Sequence, residues 1–537
     1  MTNAGAPNTF HRLFDSAPGE RICVVLPDGG EVSFDAMAAR SRSIAAGFSR
    51  LGLRHGDAIG VWMANTPAWL QVFLACARLG ALAVGINARF RGREIGELLR
   101  RSSARLLVAD AWQGKVRSDE IFRTIAPSDL ASLRAVVVAG ESDPSAWLPF
   151  DVMNLDELFD EANAADAGRP EDACILFTTS GTTGRPKLVV HRQRGIVAHA
   201  RDVADAFELA HPGSAVLQIV PFCGAFGFSQ AIAAIAAACP LVVPPLFDAA
   251  KAARLARAHR VTNMVGTNDM LDRMLAAATD ERPFPNLRFF GHANFNPALP
   301  DLPARAEARG VKLRGLFGMS ETLALFAVQP AKAGLERRQL SGGVPVSPSG
   351  QARVRDLASG EIAAAGVSGE IELRGPSLMS GYLGDDEATR AAFTPDGFLR
   401  TGDLGYATDD GGFIHLGRMG DALRLGGFLV NPLEIEETVL EIGSLSACQV
   451  VEAQLDGRAR PVAFSVPAAG LPAARQASAQ TDEPAVIAHC RERLASFKVP
   501  VRVIMLDSLP TVEGPNGVKV RRDELRRTAQ AMIDEKG

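Results

Sequence analysis

The sequence predicts an α/β protein. A large N-terminal domain has parallel sheets flanked by helices and carries a small β-rich subdomain, and a smaller α+β C-terminal domain follows. Three observations carry this prediction. Short β-branched runs alternate with amphipathic stretches through the first half, as in a parallel sheet with helices on both faces. From Gly342 to Gly417 glycines and turn pairs become dense between short alternating runs, the texture of antiparallel strands. After Gly420 the mixed helix and strand pattern returns.

In chain order, Arg21–Val25, Ala58–Trp62, Ala83–Ile86 and Arg105–Ala109 are expected as strands. Phe34–Leu51, Pro67–Leu79 and Gly92–Ser102 carry apolar residues at helical spacing, for instance Leu70, Phe73, Leu74 and Ala77. Cys174–Thr178, Val216–Val220, Arg260–Val265 and Leu287–Phe290 continue the strands, and Glu370–Arg374 lies in the β-rich piece. Ala468–Ala485, rich in Ala, Gln, Ser and Pro, is expected as a surface loop. The 537 residues suffice for about three or four domain-sized units.

Composition narrows the function. Apolar residues make up 47% and charged residues 22%, which excludes wholesale disorder. Lys and Arg total 57 against 61 Asp and Glu, a net charge of −4. That excludes a basic footprint for nucleic acid and a polybasic membrane signal, and leaves a small anionic ligand open. Seven cysteines without a CxxC pair read as reduced thiols in a cytoplasmic protein. No signal peptide is visible in Met1–Phe10. The most apolar run, Ala231–Phe247, is interrupted by Pro240, Pro244 and Pro245, so it is expected as a buried helix followed by a strand and not as a membrane span.

The strongest chemical signal is Leu176–His191, LFTTSGTTGRPKLVVH. Thr178, Thr179, Ser180, Thr182 and Thr183 are interleaved with Gly181 and Gly184, and Lys187 follows. Glycines let backbone N–H groups approach an anion, hydroxyls add donors and the lysine adds a mobile charge, which suits a polyphosphate. The run does not match a Walker A loop, and composition alone fits a polar turn between strand and helix equally well.

The run SGTTGRPK resembles the signature loop of the adenylate-forming superfamily, which includes acyl-CoA synthetases, luciferases and peptide-synthetase adenylation domains. Four further segments are similar to the family's motifs in the family's order: GLFGMSET (Gly315–Thr322), TGDL (Thr401–Leu404), GRMGDALRLGGFLVNPLEIE (Gly417–Glu436), and the closing segment from Phe497-Lys498-Val499-Pro500 through Leu509-Pro510 to Lys519–Arg526. The resemblance implies ATP, Mg2+ and coenzyme A as cofactors. It implies a domain boundary near 418–421, with 1–418 N-terminal (β-rich subdomain about 342–417) and 421–537 a mobile C-terminal domain bearing the catalytic lysine.

Residue by residue, the resemblance assigns Thr179–Lys187 to the β- and γ-phosphates. Glu321 and Thr178 fall to Mg2+, a hard cation commonly held by few protein oxygens plus phosphates. Ser320, in the usual threonine place, retains a hydroxyl for the α-phosphate. Phe317 and Gly318 fall to the adenine, although a lone phenylalanine is ordinarily core. Asp403 falls to the ribose and Arg418 to the ribose or a phosphate, although each alone would read as a turn aspartate and a surface arginine. Gly426 and Gly427 would let the pantetheine arm pass closely.

Lys519 is the candidate catalytic lysine, an ammonium placed to stabilise charge at the α-phosphate. It departs from the family's Gly-Lys pair, since Val518 intervenes after Gly517. Gly420 takes the hinge position. The acyl pocket is expected around Phe222, Cys223, Gly224, Phe226, Phe228, Gly266, Thr267, His292, Ala293 and Asn294. Gly224 stands where an aromatic or His is common and implies a roomier site. A lone His such as His292 is otherwise often a structural hydrogen-bonder. No Arg or Lys lies in this set, which favours a mostly apolar aliphatic, branched or aromatic monoacid.

The reaction implied is acyl-AMP plus pyrophosphate, then acyl-CoA plus AMP. A carrier-protein thiol as acceptor, a catalytically silent nucleotide-binding scaffold and, more remotely, a luciferase-like oxygenation stay open at this point. So does a homodimer, which the sequence does not specify.

Overall fold

The computed structural model describes the chain apart from residues 1–6, 142, 148, 159–165, 180–185, 294–298, 300, 420–422, 426, 427, 431, 456, 457, 469–481, 495, 497, 515, 516 and 535–537, and apart from a few further side chains, Lys519 among them. Two large sheets organise the N-terminal part. One runs, in spatial order, Gly381–Tyr382, Leu188–Arg192, Ala173–Thr178, Leu82–Gly85, Ala58–Trp62, Leu106–Asp110, Ala135–Ala139 and Asp151–Asn154. It is parallel from Ala173–Thr178 onward and antiparallel at the Leu188–Arg192 edge. The other holds Leu241–Val242, Val216–Leu217, Asn263–Thr267, Phe289–Ala293 and Leu313–Phe317 in parallel.

That second sheet continues through Ala327–Val328 and Gly342–Pro345 into the antiparallel strands Phe413–Arg418, Leu399–Ala407, Ser368–Arg374 and Gln351–Arg355. The β-rich piece therefore grows out of the parallel sheet by shared hydrogen bonds. Its small core of Phe317, Phe326, Val354, Ile371, Leu373 and Phe413 is its own.

Between the sheets lie helices whose sequences admit no solvent face. Pro67–Leu79 starts at Thr66, whose side chain accepts from the Trp69 N–H, with proline at the first turn, and stops at Gly80 in the left-handed conformation. Trp69, Leu70 and every residue from Val72 to Leu79 are buried, as in a helix apolar all round. Arg78 is the polar exception. Its guanidinium meets both Asp15 oxygens (2.6 and 2.9 Å), Asp166 (3.1 Å) and the Ser41 hydroxyl (3.0 Å), which ties the N-terminal helix Phe10–Asp15 down. Phe228 of the helix Ala225–Ala236 then meets Phe73 of the helix Pro67–Leu79 and Phe177 of the first sheet, ring centres 4.9 and 5.4 Å away.

Past residue 422 the packing is separate. Leu445–Leu455, Arg458–Pro467 and Arg502–Met505 form a three-stranded sheet. One face packs Pro432–Leu440 and Glu483–Arg493 through Ile435, Val439, Val486 and Cys490. The other packs Arg522–Asp534 through Leu525, Ala529 and Ile533. Among the described residues no apolar cluster spans the 418–423 junction. This is the α+β C-terminal part that the sequence predicts.

Some boundaries move. The expected Val216–Val220 strand shrinks to Val216–Leu217, and Arg260–Val265 becomes Asn263–Thr267 because Arg260 turns with φ +50°. Leu287–Phe290 becomes Phe289–Ala293, so His292 lies inside the strand and not after it. Most of the expected 468–485 loop falls outside the described residues, and its end is already helix from Glu483.

Candidate active site

The glycine-rich run joins two antiparallel strands, Ala173–Thr178 and Leu188–Arg192, with Thr178 opposite Leu188. It leads into the Leu188–Arg192 strand and not into a helix, unlike loops that present a helix N-terminus to an anion. Ser180, Gly181, Thr182, Thr183 and Gly184 lie outside the described residues. The neck is closed on both sides. The Thr179 N–H donates to the Lys187 carbonyl (3.0 Å), and the Lys187 N–H donates to the Thr179 hydroxyl (3.3 Å). Arg101 donates to the Pro186 carbonyl (2.7 Å). The Lys187 ammonium lies 4.6 Å from the centre of the Tyr382 ring.

The second motif reaches the same place. After the Leu313–Phe317 strand, Gly318 passes so close to Ala324 that a Cβ would sit 2.3 Å from its carbonyl carbon. Only glycine fits there. Ser320–Thr322 makes a single 3-10 turn, and Leu323 and Ala324 follow at φ +57° and +51°, a strained left-handed pair. The Ser229 hydroxyl donates to the Leu323 carbonyl and His191 Nε2 donates to the Ser320 carbonyl (2.7 Å), which hold this turn from behind. Glu321 is buried, and its Oε1 accepts from the Tyr382 hydroxyl (2.9 Å). Its backbone carbonyl accepts from the Met379 N–H (2.8 Å).

Burial holds three histidines near this turn and the adjoining strands neutral. His191 and His292 are pushed down to about 4 and His199 to about 3, from an ordinary 6.5. Because His191 donates through Nε2, the neutral tautomer carries its proton there. The unfolded chain takes up these protons near 6.5 and the folded chain only near 4 or below, so stability falls as pH drops through that window. Urea unfolding from pH 7 to pH 4 is expected to show this loss; a stability that stays level between 6.5 and 5 would contradict the buried neutral assignment.

Asp403 lies in Leu399–Ala407 opposite Arg418 of Phe413–Arg418. Its Oδ1 is 3.1 Å from Arg418 Nε and 3.5 Å from His415 Nε2, and its N–H donates to the Thr401 hydroxyl (3.0 Å). Arg418 also donates to the Thr401 carbonyl (3.0 Å). Phe317 is buried edge-on to Phe413, ring centres 5.1 Å apart, and 5.2 Å from His415. The candidate adenine and ribose residues are thus linked through His415, which sequence reasoning missed. A bulge between Leu404 and Gly405 sets that contact, and spacing does not reveal it.

On the acyl side, Gly266, His292 and Gly315 are neighbours across three parallel strands, at the carboxyl ends where such sheets bind ligands. A Cβ on Gly266 would meet the Phe290 ring at 2.8 Å, so one side of that glycine is already filled. Thr267 caps the helix Asn268–Ala277 by accepting from the Met270 N–H (3.2 Å). His292 is buried, and neither ring nitrogen has a hydrogen-bond partner among the described residues. Ala293 ends the strand half-buried, and Asn294 lies outside the described residues.

Phe222 and Phe228 are fully buried against Trp69 (5.3 and 6.2 Å) and back the Pro221–Gly224 turn. Cys223 and Gly224 are half-buried, Phe226 is buried, and burial pushes the Cys223 thiol up to about 12. Asn65, also missed from sequence, anchors this turn. Its Oδ1 accepts from the Phe222 N–H (2.8 Å) and its Nδ2 donates to the Val220 carbonyl (3.0 Å).

Lys519 lies in Gly517–Val520, paired opposite Val512 of Thr511–Gly514. The strand runs beside the helix Asn268–Ala277, with Cα atoms within 8 Å. Just beyond it, Arg522 donates to Gln449 Oε1 (3.0 Å) and Glu436 Oε1 (3.2 Å). Gly420, Gly426 and Gly427 lie outside the described residues.

The donors near the loop fit Mg2+. Glu321 offers a carboxylate oxygen, Thr178 offers a hydroxyl at the end of the strand that enters the loop, and among the described residues no group of three His, Cys, Asp or Glu forms a cage. One carboxylate with the remaining positions left to phosphates and water is how Mg2+ commonly binds. No described helix is long and apolar enough to cross a membrane.

Known proteins are similar to this chain in sequence and fold. The AMP-binding enzyme family matches residues 11–383, and the AMP-binding enzyme C-terminal domain matches 434–513. A 3-[(3aS,4S,7aS)-7a-methyl-1,5-dioxo-octahydro-1H-inden-4-yl]propanoyl:CoA ligase of Mycobacterium tuberculosis is 30% identical over 87% of this chain and 88% of its own. A sulfoacetate–CoA ligase of Cupriavidus necator is 31% identical over 93% of each. ATP-bound MatB from Rhodopseudomonas palustris shares the fold with a TM-score of 0.81 at 24% identity, over 98% of this chain and 99% of its own. From the sequence motifs, the two-part fold and these matches together, the chain belongs to the AMP-binding enzyme family, on the acyl-CoA ligase branch of the adenylate-forming superfamily.

Proposed function

We propose that this ATP-dependent, AMP-forming acid–CoA ligase activates a mostly apolar monoacid, aliphatic, branched or aromatic. In the first half-reaction a carboxylate oxygen attacks the α-phosphorus of ATP, and the bond to pyrophosphate breaks. In the second, the CoA thiol attacks the acyl carbon, loses its proton and expels AMP. The observation that carries the reading is the meeting of the phosphate-loop neck and the Glu321 carboxylate at one tyrosine, Lys187 on its ring and Glu321 on its hydroxyl.

Lys187 and the loop hydroxyls hold the outer phosphates. Asp403 accepts from the ribose hydroxyls while Arg418 and His415 hold its carboxylate in place. Phe317 walls the adenine. Bound Mg2+, held by Glu321 and Thr178, supplies charge neutralisation to the phosphates. Lys519 enters from the C-terminal domain, 421–537, and its strand beside the Asn268–Ala277 helix supports that approach to the 1–418 domain. The relatives named as CoA ligases favour free CoA over a carrier thiol.

The acyl turn supports a roomy pocket. Gly224 has φ −113°, so its lack of a side chain answers no backbone demand, which supports a role for the missing side chain in the pocket. A pyrophosphate-release panel of aliphatic, branched and aromatic acids, with and without CoA, tests the reading. Release with branched or aromatic acids is expected, and acyl-CoA only when CoA is present. Activity confined to acetate and propionate would contradict the pocket, and no release with any acid would contradict the reaction.

A further inference from the structure

Glu321 carries a cost that folding alone does not explain. The residue is only 6% exposed, and among the described residues it has no ion pair. A buried carboxylate normally finds a cation. Lys187 is close by, yet it too has no ion pair among the described residues. Tyr382 touches both, its hydroxyl on Glu321 Oε1 and its ring face under the Lys187 ammonium.

The backbone locks Tyr382 into this position. It pairs with Val189 on the strand leaving the phosphate loop, and its N–H donates to the Thr389 hydroxyl (2.9 Å). Ser380 donates to the Val190 carbonyl through its N–H and its hydroxyl (2.8 and 3.0 Å), and Leu383 donates to the Leu188 carbonyl (2.8 Å). The segment is thus fastened to the loop strand on both sides of the ring.

We infer that Tyr382 is a positioning residue that keeps Lys187 and Glu321 from neutralising each other. It holds one oxygen of Glu321 and leaves the other for the metal, and it parks the Lys187 ammonium on its ring until nucleotide phosphates draw it off. A direct Lys187–Glu321 pair would consume the charge each needs for its ligand. A cation on a ring face is held less tightly than one paired with a carboxylate, so it can leave for a phosphate. This rests on the reading of Glu321 as the metal carboxylate and Lys187 as a phosphate contact.

The chain has two tyrosines, which makes the test direct. In protein labelled with fluorotyrosine, a Tyr406→Phe variant assigns the two fluorine resonances. ATP added with EDTA, without metal, is expected to shift the Tyr382 resonance and leave that of Tyr406 in place. In Lys187→Met the resonance of the free protein is already displaced, and ATP moves it little further. A Tyr382 resonance unmoved by ATP at concentrations shown to bind overturns the parking of Lys187.

Kinetics test the other half. Tyr382→Phe keeps the ring, so it is expected to raise the Mg2+ concentration at half-maximal rate about 10-fold while the KM for ATP at saturating Mg2+ stays near wild type. Tyr382→Leu removes the spacer and raises both. An unchanged Mg2+ response in Tyr382→Phe, beside a raised one in Glu321→Gln, overturns the proposal and leaves the Glu321 reading standing. An unchanged response in both variants overturns that reading, and the proposal with it. The fluorine arm in the unsubstituted background decides the matter even where a variant fails to fold.

Discussion

Replacing Lys519 with alanine is expected to lower acid-dependent pyrophosphate release about 10²–10³-fold, the usual loss when one preorganised donor to developing charge is removed. Thiolation of supplied acyl-adenylate should stay within about twofold, because charge at the α-phosphate no longer develops in that step. Lys519 is proposed from the motif, and the backbone around it is regular despite the extra residue before it. Gly517–Val520 is one arm of an antiparallel hairpin, and Lys519 stands opposite Val512. Three residues on, Arg522 is held by Glu436 and Gln449, and the Arg521 N–H donates to the Pro510 carbonyl (2.8 Å). The hairpin absorbs Val518, and the buried ion cluster sets where the strand ends. Rapid-quench measurement of each half-reaction checks the prediction; equal loss of both halves would reject the division of labour.

The second large effect is expected from Asp403→Ala. Asp403 is buried, and its carboxylate is shared by Arg418 and His415. Removing it leaves a guanidinium without its partner and the ribose without its acceptor. Losing a hydrogen bond to a charged acceptor costs roughly 1.5–3 kcal/mol, so kcat/KM for ATP should fall about 10–10²-fold. The useful comparison is ATP lacking both ribose hydroxyls. The unsubstituted enzyme should discriminate strongly against it and Asp403→Ala should not, because the interaction being read is then absent on either side. A variant that still distinguishes the two nucleotides would remove Asp403 from the ribose.

Much of the fold can be read from sequence because its signals are local. The Thr66-Pro67 start and Gly80 stop of one helix state its limits outright. Strand boundaries moved where burial on both faces erased alternation, as at Asn263–Thr267, buried at every position. The motif residues are legible for another reason: glycine, hydroxyl and carboxylate chemistry at a nucleotide tolerates few substitutes. Gly318 shows it, where backbone crowding admits no other residue.

Sequence alone determined the family, the α/β class with its separate C-terminal part, and the identities of Lys187, Glu321 and Asp403 as the residues worth asking about. Tertiary structure alone decided what surrounds them. Tyr382 is 61 residues from Glu321 in the chain, and no spacing predicts their hydrogen bond. Asn65 and Phe222 meet across 157 residues for the same reason. Such contacts arise only when two sheets pack and bring distant strand ends to one place, where a buried polar group must find its partner or go unpaired.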